Sequence, residues 1–280
     1  MGANSAARRL VKKALYPVLN ERTYKYVQAA SKAWDIRSGK WSEPEIDLIK
    51  YAVSSGDTAL DIGANYGLYS YHLDRAVGAR GQVFAFEPVP FTCETLKAVA
   101  RLLGLRRVEI VAKGCSDRAG EIAFTVPVQA SGAVAAGQAY IGGRDDEREG
   151  REKQVRWAAT RDVRAEVVAL DEFLPRVEKL SLVKCDIEGA ELLAFRGAER
   201  LVREHLPTVI CEINPWFLEG FKIKLEELLA FFFEKGYKIY HYRNDGALAR
   251  LREIDAAEVV EDNYVFIHPT RLARFESLLR

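Results

Sequence analysis

Asp61-Ile62-Gly63-Ala64-Asn65-Tyr66-Gly67 is the stretch on which the reading of the fold turns. It follows a short apolar run, Thr58 to Ile62, that reads as a strand, and it opens Leu68 to Val77, which reads as a helix. Glycines between a strand and a helix let the backbone turn sharply and let a ligand come close. The order is D-x-G-x-N-x-G, which is not the G-x-G-x-x-G fingerprint of dinucleotide binding. A helix N-terminus alone would welcome a pyrophosphate, but the acid at the strand end, Asp61, would repel one. A carboxylate beside a glycine loop suits a ligand carrying an ammonium group and hydroxyls. The methionine part and ribose of S-adenosylmethionine fit that description.

Outward from this loop the chain alternates. Gln82 to Glu87 reads as a strand, Thr92 to Leu103 as a helix and Val108 to Ala112 as a strand. Leu180 to Asp186 is a strand, Ala190 to Glu204 a helix, Thr208 to Ile213 a strand and Lys224 to Lys235 a helix. Tyr237 to Tyr242 and Tyr264 to His268 are the last two strands. Several strands are almost continuously apolar, as strands covered on both faces are. The reading is therefore α/β, a mostly parallel sheet with helices on both sides. Two regions stand apart. The first 40 residues hold nine Lys or Arg against two Asp or Glu, with apolar residues at helical spacing. We read residues 1–45 as a helical cap on a domain of residues 46–280, with the basic N-terminus available to touch a membrane surface or a partner. Residues 129–162 break the alternation and read as an insertion, a lid carrying a hairpin, with Tyr140 and Trp157 as stacking surfaces.

Composition bounds the function classes. The chain has 280 residues, 49% hydrophobic and 29% charged, which excludes a disordered chain, a collagen and a disulfide miniprotein. The formal net charge of +1 gives no excess to draw nucleic acid, so none is expected as a partner. Cys93, Cys115, Cys185 and Cys211 form no CxxC pair and read as free thiols. No apolar run spans a membrane and no secretory leader is legible, so a cytoplasmic location is expected.

Further acids sit at strand ends. Glu87 closes Phe84-Ala85-Phe86-Glu87, where a carboxylate can accept from both hydroxyls of a ribose. Ser116 and Asp117, beyond the third strand, could reach an adenine edge or could form a polar turn. Asp186, Glu188 and Glu191 leave one apolar strand together with Lys184, and Glu212 ends the next. Charged groups in such positions cost several kcal/mol if unpaired, so they need a reason. Glu191 could merely serve the first turn of the following helix. Like-charged neighbours raise a buried carboxylate, which suits Glu212 as a general base or as a ligand for a hard cation. His241 is a second candidate base. Neither a Ser-His-Asp arrangement nor a zinc spacing is legible.

These segments together resemble the FkbM-type methyltransferase family, within the class I S-adenosylmethionine-dependent enzymes. The resemblance rests on LDIGANYGLYS (60–70), FAFEPVPFTCETL (84–96), VVALDEFL (167–174), VKCDIEGAELLAFRGA (183–198) and VICEIN (209–214). It implies a Rossmann-like, seven-stranded sheet with the last strand antiparallel, and O-methylation of sugar or natural-product hydroxyls. It also implies that Asp61, Gly63, Ala64, Asn65 and Gly67 form the cofactor loop and that Glu87 binds ribose. Asp186, Glu188 and Glu212 then face the acceptor. The third-strand segment, Lys113-Gly114-Cys115-Ser116-Asp117, departs from the family pattern.

The expected activity is an S-adenosylmethionine-dependent O-methyltransferase acting on a sugar-bearing or polyketide-type small molecule. The proton of the acceptor hydroxyl would go to Glu212, Asp186 or His241, directly or through Mg²⁺ held by Asp186, Glu188 and Glu212. The other readings are a non-catalytic nucleoside-binding module on the same fold, and methyl transfer to RNA or protein. A nicotinamide oxidoreductase is disfavoured by the missing G-x-G-x-x-G.

Overall fold

Apolar strands separated by helices fold into a layered sheet in which the strand that feeds the glycine loop is central. The computed structural model describes residues 21–128, 140–141, 159–251 and 262–280. Along the chain the strands are β1 (Thr58–Ile62), β2 (Gln82–Phe86), β3 (Val108–Val111), β4 (Gly114–Cys115), β5 (Gly120–Val128) and β6 (Tyr140–Ile141). They continue with β7 (Ala159–Val168), β8 (Leu180–Cys185), β9 (Thr208–Ile213), β10 (Lys238–Tyr242), β11 (Leu248–Arg250) and β12 (Asp262–Ile267). The helices are α1 (Glu21–Arg37), α2 (Ile49–Ala52), α3 (Leu68–Val77), α4 (Pro90–Leu103) and α5 (Leu170–Phe173). They continue with α6 (Glu191–Arg196), α7 (Glu199–His205), α8 (Pro215–Gly220) and α9 (Leu225–Phe233), and 3-10 turns cover Pro44–Leu48 and Pro269–Leu278.

The main sheet has eight strands in the order β11-β10-β12-β9-β8-β1-β2-β3. Strands β3, β2, β1, β8 and β9 are parallel, and β12 runs antiparallel between β9 and β10. The last strand is thus antiparallel, as the family resemblance implied. The count differs from the expected seven because β11 pairs with β10 and adds an edge strand. Its three residues, Leu-Ala-Arg, are too short to give a strand signal in the sequence. From β1 the chain winds outward one way through β2 and β3 and the other way through β8 and β9. The crevice between β1 and β8 is therefore the topological switch point, where open α/β sheets bind ligands at the carboxyl ends of strands.

Alternation along the strands divides the core. Leu60, Ile62, Val183, Cys185, Val209, Cys211 and Ile213 pack into the larger apolar layer, while Ala59, Leu182, Ile210 and Val265 pack into the other. All four cysteines are free and buried. Among the described residues no helix is long and apolar enough to cross a membrane.

Two segments depart from the sequence reading. The helix expected over Ala190 to Glu204 is two helices, α6 and α7, meeting at Gly197 and Ala198. A Cβ on Gly197 would meet the backbone carbonyl of Ser116, so that turn lies tight against another segment. The break also exposes the first N–H groups of α7 to Asp171, whose carboxylate accepts from Arg200 N at 2.7 Å and Leu201 N at 3.0 Å. The third-strand segment does not extend the main sheet: Gly114 and Cys115 pair with Val167 and Val168 in a second sheet, ordered β4-β7-β5-β6. There β5 and β7 pair antiparallel from Gly120↔Val167 to Val128↔Ala159. Most of the insertion 129–162, Trp157 included, lies outside the described residues, as do residues 1–20 of the N-terminal segment.

Candidate active site

The end of β1 delivers Asp61 into the crevice. Its Cα neighbours are Ala85 on β2 and Lys184 on β8, and its carboxylate accepts from Ser70 Oγ at 2.5 Å, one turn into α3. It is 2% exposed, and burial pushes its pKa up to about 6 against the opposing pull of Ser70 and Lys184. The loop then turns on Gly63, whose φ is +81°. A Cβ there would run into the backbone carbonyl of Asp186, so glycine is required at this crossing of the two strand ends. Gly63 N and Ala64 N both donate to Phe86 O, at 3.0 and 2.9 Å, and Gly67 N donates to Ala64 O at 2.7 Å.

Glu87 is clasped by the same loop. One oxygen accepts from Asn65 N at 3.0 Å and the other from Val89 N at 2.9 Å. Asn65 adopts the left-handed conformation that this contact needs, with φ +49°. Glu87 is buried, and burial raises it to about 7 despite those two N–H donors, with Asp61 and Asp186 adding to the rise. The Asn65 side-chain oxygen is buried with no hydrogen-bond partner. Such an atom costs about 1–3 kcal/mol unless a ligand meets it.

Beside Glu87, Gly114 packs against Pro88, its absent Cβ lying 3.6 Å from the proline ring. The next turn carries Ser116, buried, whose Oγ donates to the exposed Asp117 at 3.2 Å. The structure thus brings Asp61, the glycine loop, Glu87 and the Ser116–Asp117 turn to one edge of the sheet.

Across the switch point lies an acid pair. Asp186 N donates to Ile62 O at 3.0 Å, tying the end of β8 to the end of β1. The Asp186 and Glu212 side chains are hydrogen-bonded to each other. Lys184, only 2% exposed, lies 3.6 Å from Asp186 Oδ2 and donates to Asn263 Oδ1 at 2.9 Å. Burial works to raise Asp186, but Lys184 and the Glu212 hydrogen bond outweigh it and hold Asp186 low. Burial raises Glu212, and the Asp186 hydrogen bond and charge raise it further, with Glu188 adding to the rise. Lys184 beside Asp186 thus favours the negative charge of the pair on Asp186 and the proton on Glu212.

Several partners in this cluster carry no motif in the sequence. Asn263 Nδ2 donates to Glu43 at 3.3 Å and Glu45 at 3.4 Å, and Tyr69 OH donates to Glu43 at 2.8 Å. Asn263 faces Glu212 in the β12–β9 register, which places 212 and 263 on one face with Lys184. His241 pairs with Tyr264, the next residue along, and so lies on the opposite face. There it shares a 2.8 Å contact with Asp262 and does not join the acid pair. Glu188 adopts a left-handed conformation, φ +55°, beside Gly189, whose Cβ would meet the Phe217 backbone. Glu191 clasps this loop by accepting from Ile187 N and Gly189 N at 3.2 and 3.0 Å. Among the described residues no group of three His, Cys, Asp or Glu side chains could hold a metal ion. The expected Mg²⁺ set of Asp186, Glu188 and Glu212 is not such a group; Asp186 and Glu212 are hydrogen-bonded to each other instead.

The model of the methyltransferase FkbM domain matches residues 61–239, from the acid of the glycine loop to β10. The chain is 27% identical over 203 residues to methyltransferase sdnD of Sordaria araneosa, covering 67% of this chain and 76% of that one. It is 24% identical over 161 residues to methyltransferase 1 of Beauveria bassiana, covering 55% and 63%. A crystal structure of methyltransferase FkbM from Methylobacillus flagellatus KT aligns with a TM-score of 0.45 and 16% identity, over 80% of this chain and half the length of that one. With the family match spanning both the glycine loop and the acid pair, the chain belongs to the FkbM-domain methyltransferases and is an S-adenosylmethionine-dependent enzyme.

Proposed function

We propose that the enzyme methylates a hydroxyl of a sugar-bearing or polyketide-type small molecule. The observation that carries this reading is the hydrogen-bonded pair Asp186–Glu212, seated against the glycine loop and polarised by Lys184. An alcohol must lose a proton as its oxygen is alkylated, and a pair of carboxyls sharing one proton has one ionised member ready to accept it. In this reading Asp186 is that acceptor, Glu212 holds the pair's own proton, and Glu188 borders the acceptor. The residues fit the cofactor: two buried acids, Asp61 and Glu87, stand at the ends of neighbouring strands, and the loop itself holds an unmet amide oxygen, on Asn65. Asp61, Gly63, Ala64, Asn65, Gly67 and Glu87 would hold it, with Ser116 and Asp117 toward its base. When bound, it supplies an electrophilic methyl group on a sulfonium. The protein's contribution is then alignment, proton acceptance and exclusion of water.

Trp216 supports a ring-bearing acceptor. It is 45% exposed in the first turn of α8, which follows the strand of Glu212, and its ring meets Phe217 edge-on at 5.0 Å. The free, buried state of all four cysteines agrees with a cytoplasmic setting. The test is formation of S-adenosylhomocysteine with a panel of neutral glycosides, polyketide alcohols, an RNA oligonucleotide and a protein mixture. Turnover with a glycoside or polyketide alcohol is the expected result. Turnover confined to RNA or protein would overturn the small-molecule reading.

A further inference from the structure

Helix α1 precedes the matched region and has two distinct faces. Tyr24, Ala29, Ala33 and Ile36 are buried, and the last three pack into one apolar cluster with Ala98, Val99 and Leu103 of α4. Gln28 Nε2 donates to Tyr66 OH at 2.7 Å and Lys25 lies 3.5 Å from Glu94, so the helix is fixed to the domain. The other face is exposed. Tyr26, Val27 and Trp34 are 55%, 41% and 62% exposed. Val27, Ala30, Trp34 and Arg37, all exposed, follow the three-and-four spacing that aligns residues along one side of a helix.

Single exposed apolar residues are ordinary on a protein surface. Among the described residues, however, six large ones are exposed; three stand on α1 and a fourth, Leu102, on α4. Two of the three on α1 are Tyr and Trp, the residues that settle at a membrane–water boundary because each joins an apolar ring to a polar atom. Cations stand beside both rings. Lys25 Nζ lies 5.4 Å from the centre of the Tyr26 ring and Lys40 Nζ 5.8 Å from that of Trp34, and Arg37 and Lys40 are exposed. The one acid among the described side chains of α1, Asp35, is buried. Residues 1–20, which lead into α1, hold Arg8, Arg9, Lys12 and Lys13 and no Asp or Glu. A basic segment running into an exposed aromatic face complements an anionic surface. Apolar contact and basic charge together are the two signals that attachment to a bilayer surface takes.

We propose that the outer face of α1 docks the enzyme on an anionic phospholipid surface. Tyr26, Val27 and Trp34 enter the headgroup boundary, and Arg37, Lys40 and the basic residues ahead of the helix serve the lipid phosphates. The inference stands apart from the identity of the methyl acceptor. It gives the segment ahead of the family domain a task of its own, which is to hold the enzyme at a membrane surface.

The test is co-sedimentation of the full chain with vesicles of phosphatidylcholine alone and of phosphatidylcholine mixed with phosphatidylglycerol, repeated at rising salt. Wild type should bind the mixed vesicles at least tenfold more strongly than the neutral ones, and salt should release it. The double variant Tyr26→Ser, Trp34→Ser should weaken that binding at least tenfold with its circular dichroism unchanged. Trp34→Phe, which keeps an apolar ring, should bind within threefold of wild type and lose most of the blue shift in tryptophan emission that wild type shows with the mixed vesicles. It also serves if the double variant does not fold. Failure of wild type to sediment with the mixed vesicles would overturn the inference, as would equal binding to the neutral ones. Undiminished binding by the folded Ser variant, or an undiminished blue shift in Trp34→Phe, would overturn it as well. Dimers of the wild type in sedimentation velocity, lost in the Ser variant, in place of vesicle binding would give the face to a second copy of the chain and overturn the lipid assignment.

Discussion

At the residue scale the account depends on where single charges sit. Lys184 touches Asp186 and not Glu212, and that asymmetry selects the ionised member of the pair. Asp186→Asn should therefore lower kcat by at least 100-fold with little change in S-adenosylhomocysteine affinity. Glu212→Gln keeps a donor toward Asp186 and should cost less than tenfold; the reverse ranking in steady-state kinetics would return the base to Glu212. Gly63→Ala forces a side chain onto a φ of +81° and into the Asp186 carbonyl. It should lose at least about 2 kcal/mol in urea unfolding, above the 1–2 kcal/mol of the left-handed conformation alone. Asp61, Glu87, Asp186 and Glu212 could be brought to one crevice from sequence because each ends an apolar strand, a local and regular signal. Asn263, Glu43 and Tyr69 could not. Asn263 reaches Glu43 across 220 residues, and nothing near either residue marks the contact. The proton's position on Glu212 was illegible for the same reason, since it depends on which acid the buried lysine touches.

At the element scale, the strands followed from their apolar runs and the helices from their spacing, but breaks imposed by packing did not. The stretch Ala190 to Glu204 has an unbroken helical pattern, yet it splits at Gly197 where it meets the Ser116 backbone. The cap that makes this split affordable comes from Asp171, 29 residues away in sequence. Asp171→Ala should remove about 1 kcal/mol, read as a lower Tm, with no effect on cofactor binding. The loop from β8 to α6 carries its own titration. Burial raises Glu191 to about 7, even though Gly189 and Ile187 donate to it. A carboxyl raised on folding binds more protons folded than unfolded, so its contribution is fully present below its unfolded pKa near 4.5 and fades as pH rises through 7. Asp61 and Glu87, raised to about 6 and 7, act in the same direction. Ligand-free protein should thus lose stability between pH 5 and 8, by up to about 1.4 kcal/mol per unit of pH for each group titrating. Glu191→Gln should flatten that slope in thermal unfolding across the range; an unchanged slope would mean Glu191 is ionised throughout.

At the scale of the whole molecule, a nearly neutral chain concentrates acids along one edge of its sheet. Asp61, Glu87, Asp186 and Glu212 stand at the carboxyl ends of four parallel strands, with Lys184 buried among them. Such an edge attracts a cationic ligand and disfavours a polyanion, in keeping with a sulfonium cofactor and with the neutral acceptor proposed above. The doubly wound sheet was legible because its strands are apolar on both faces. The eighth strand and the pairing of the third-strand segment with β7 were not, because short strands are defined by their partners and not by their own residues. The central claim is that the edge between β1 and β2 is the cofactor site. Calorimetric titration of wild type, Asp61→Ala and Glu87→Ala with S-adenosylhomocysteine tests it most directly, each variant first checked for folding by circular dichroism. The account predicts saturable one-to-one binding by wild type and affinity at least 30-fold weaker in both variants. Wild-type affinity retained in a folded Glu87→Ala protein would contradict it.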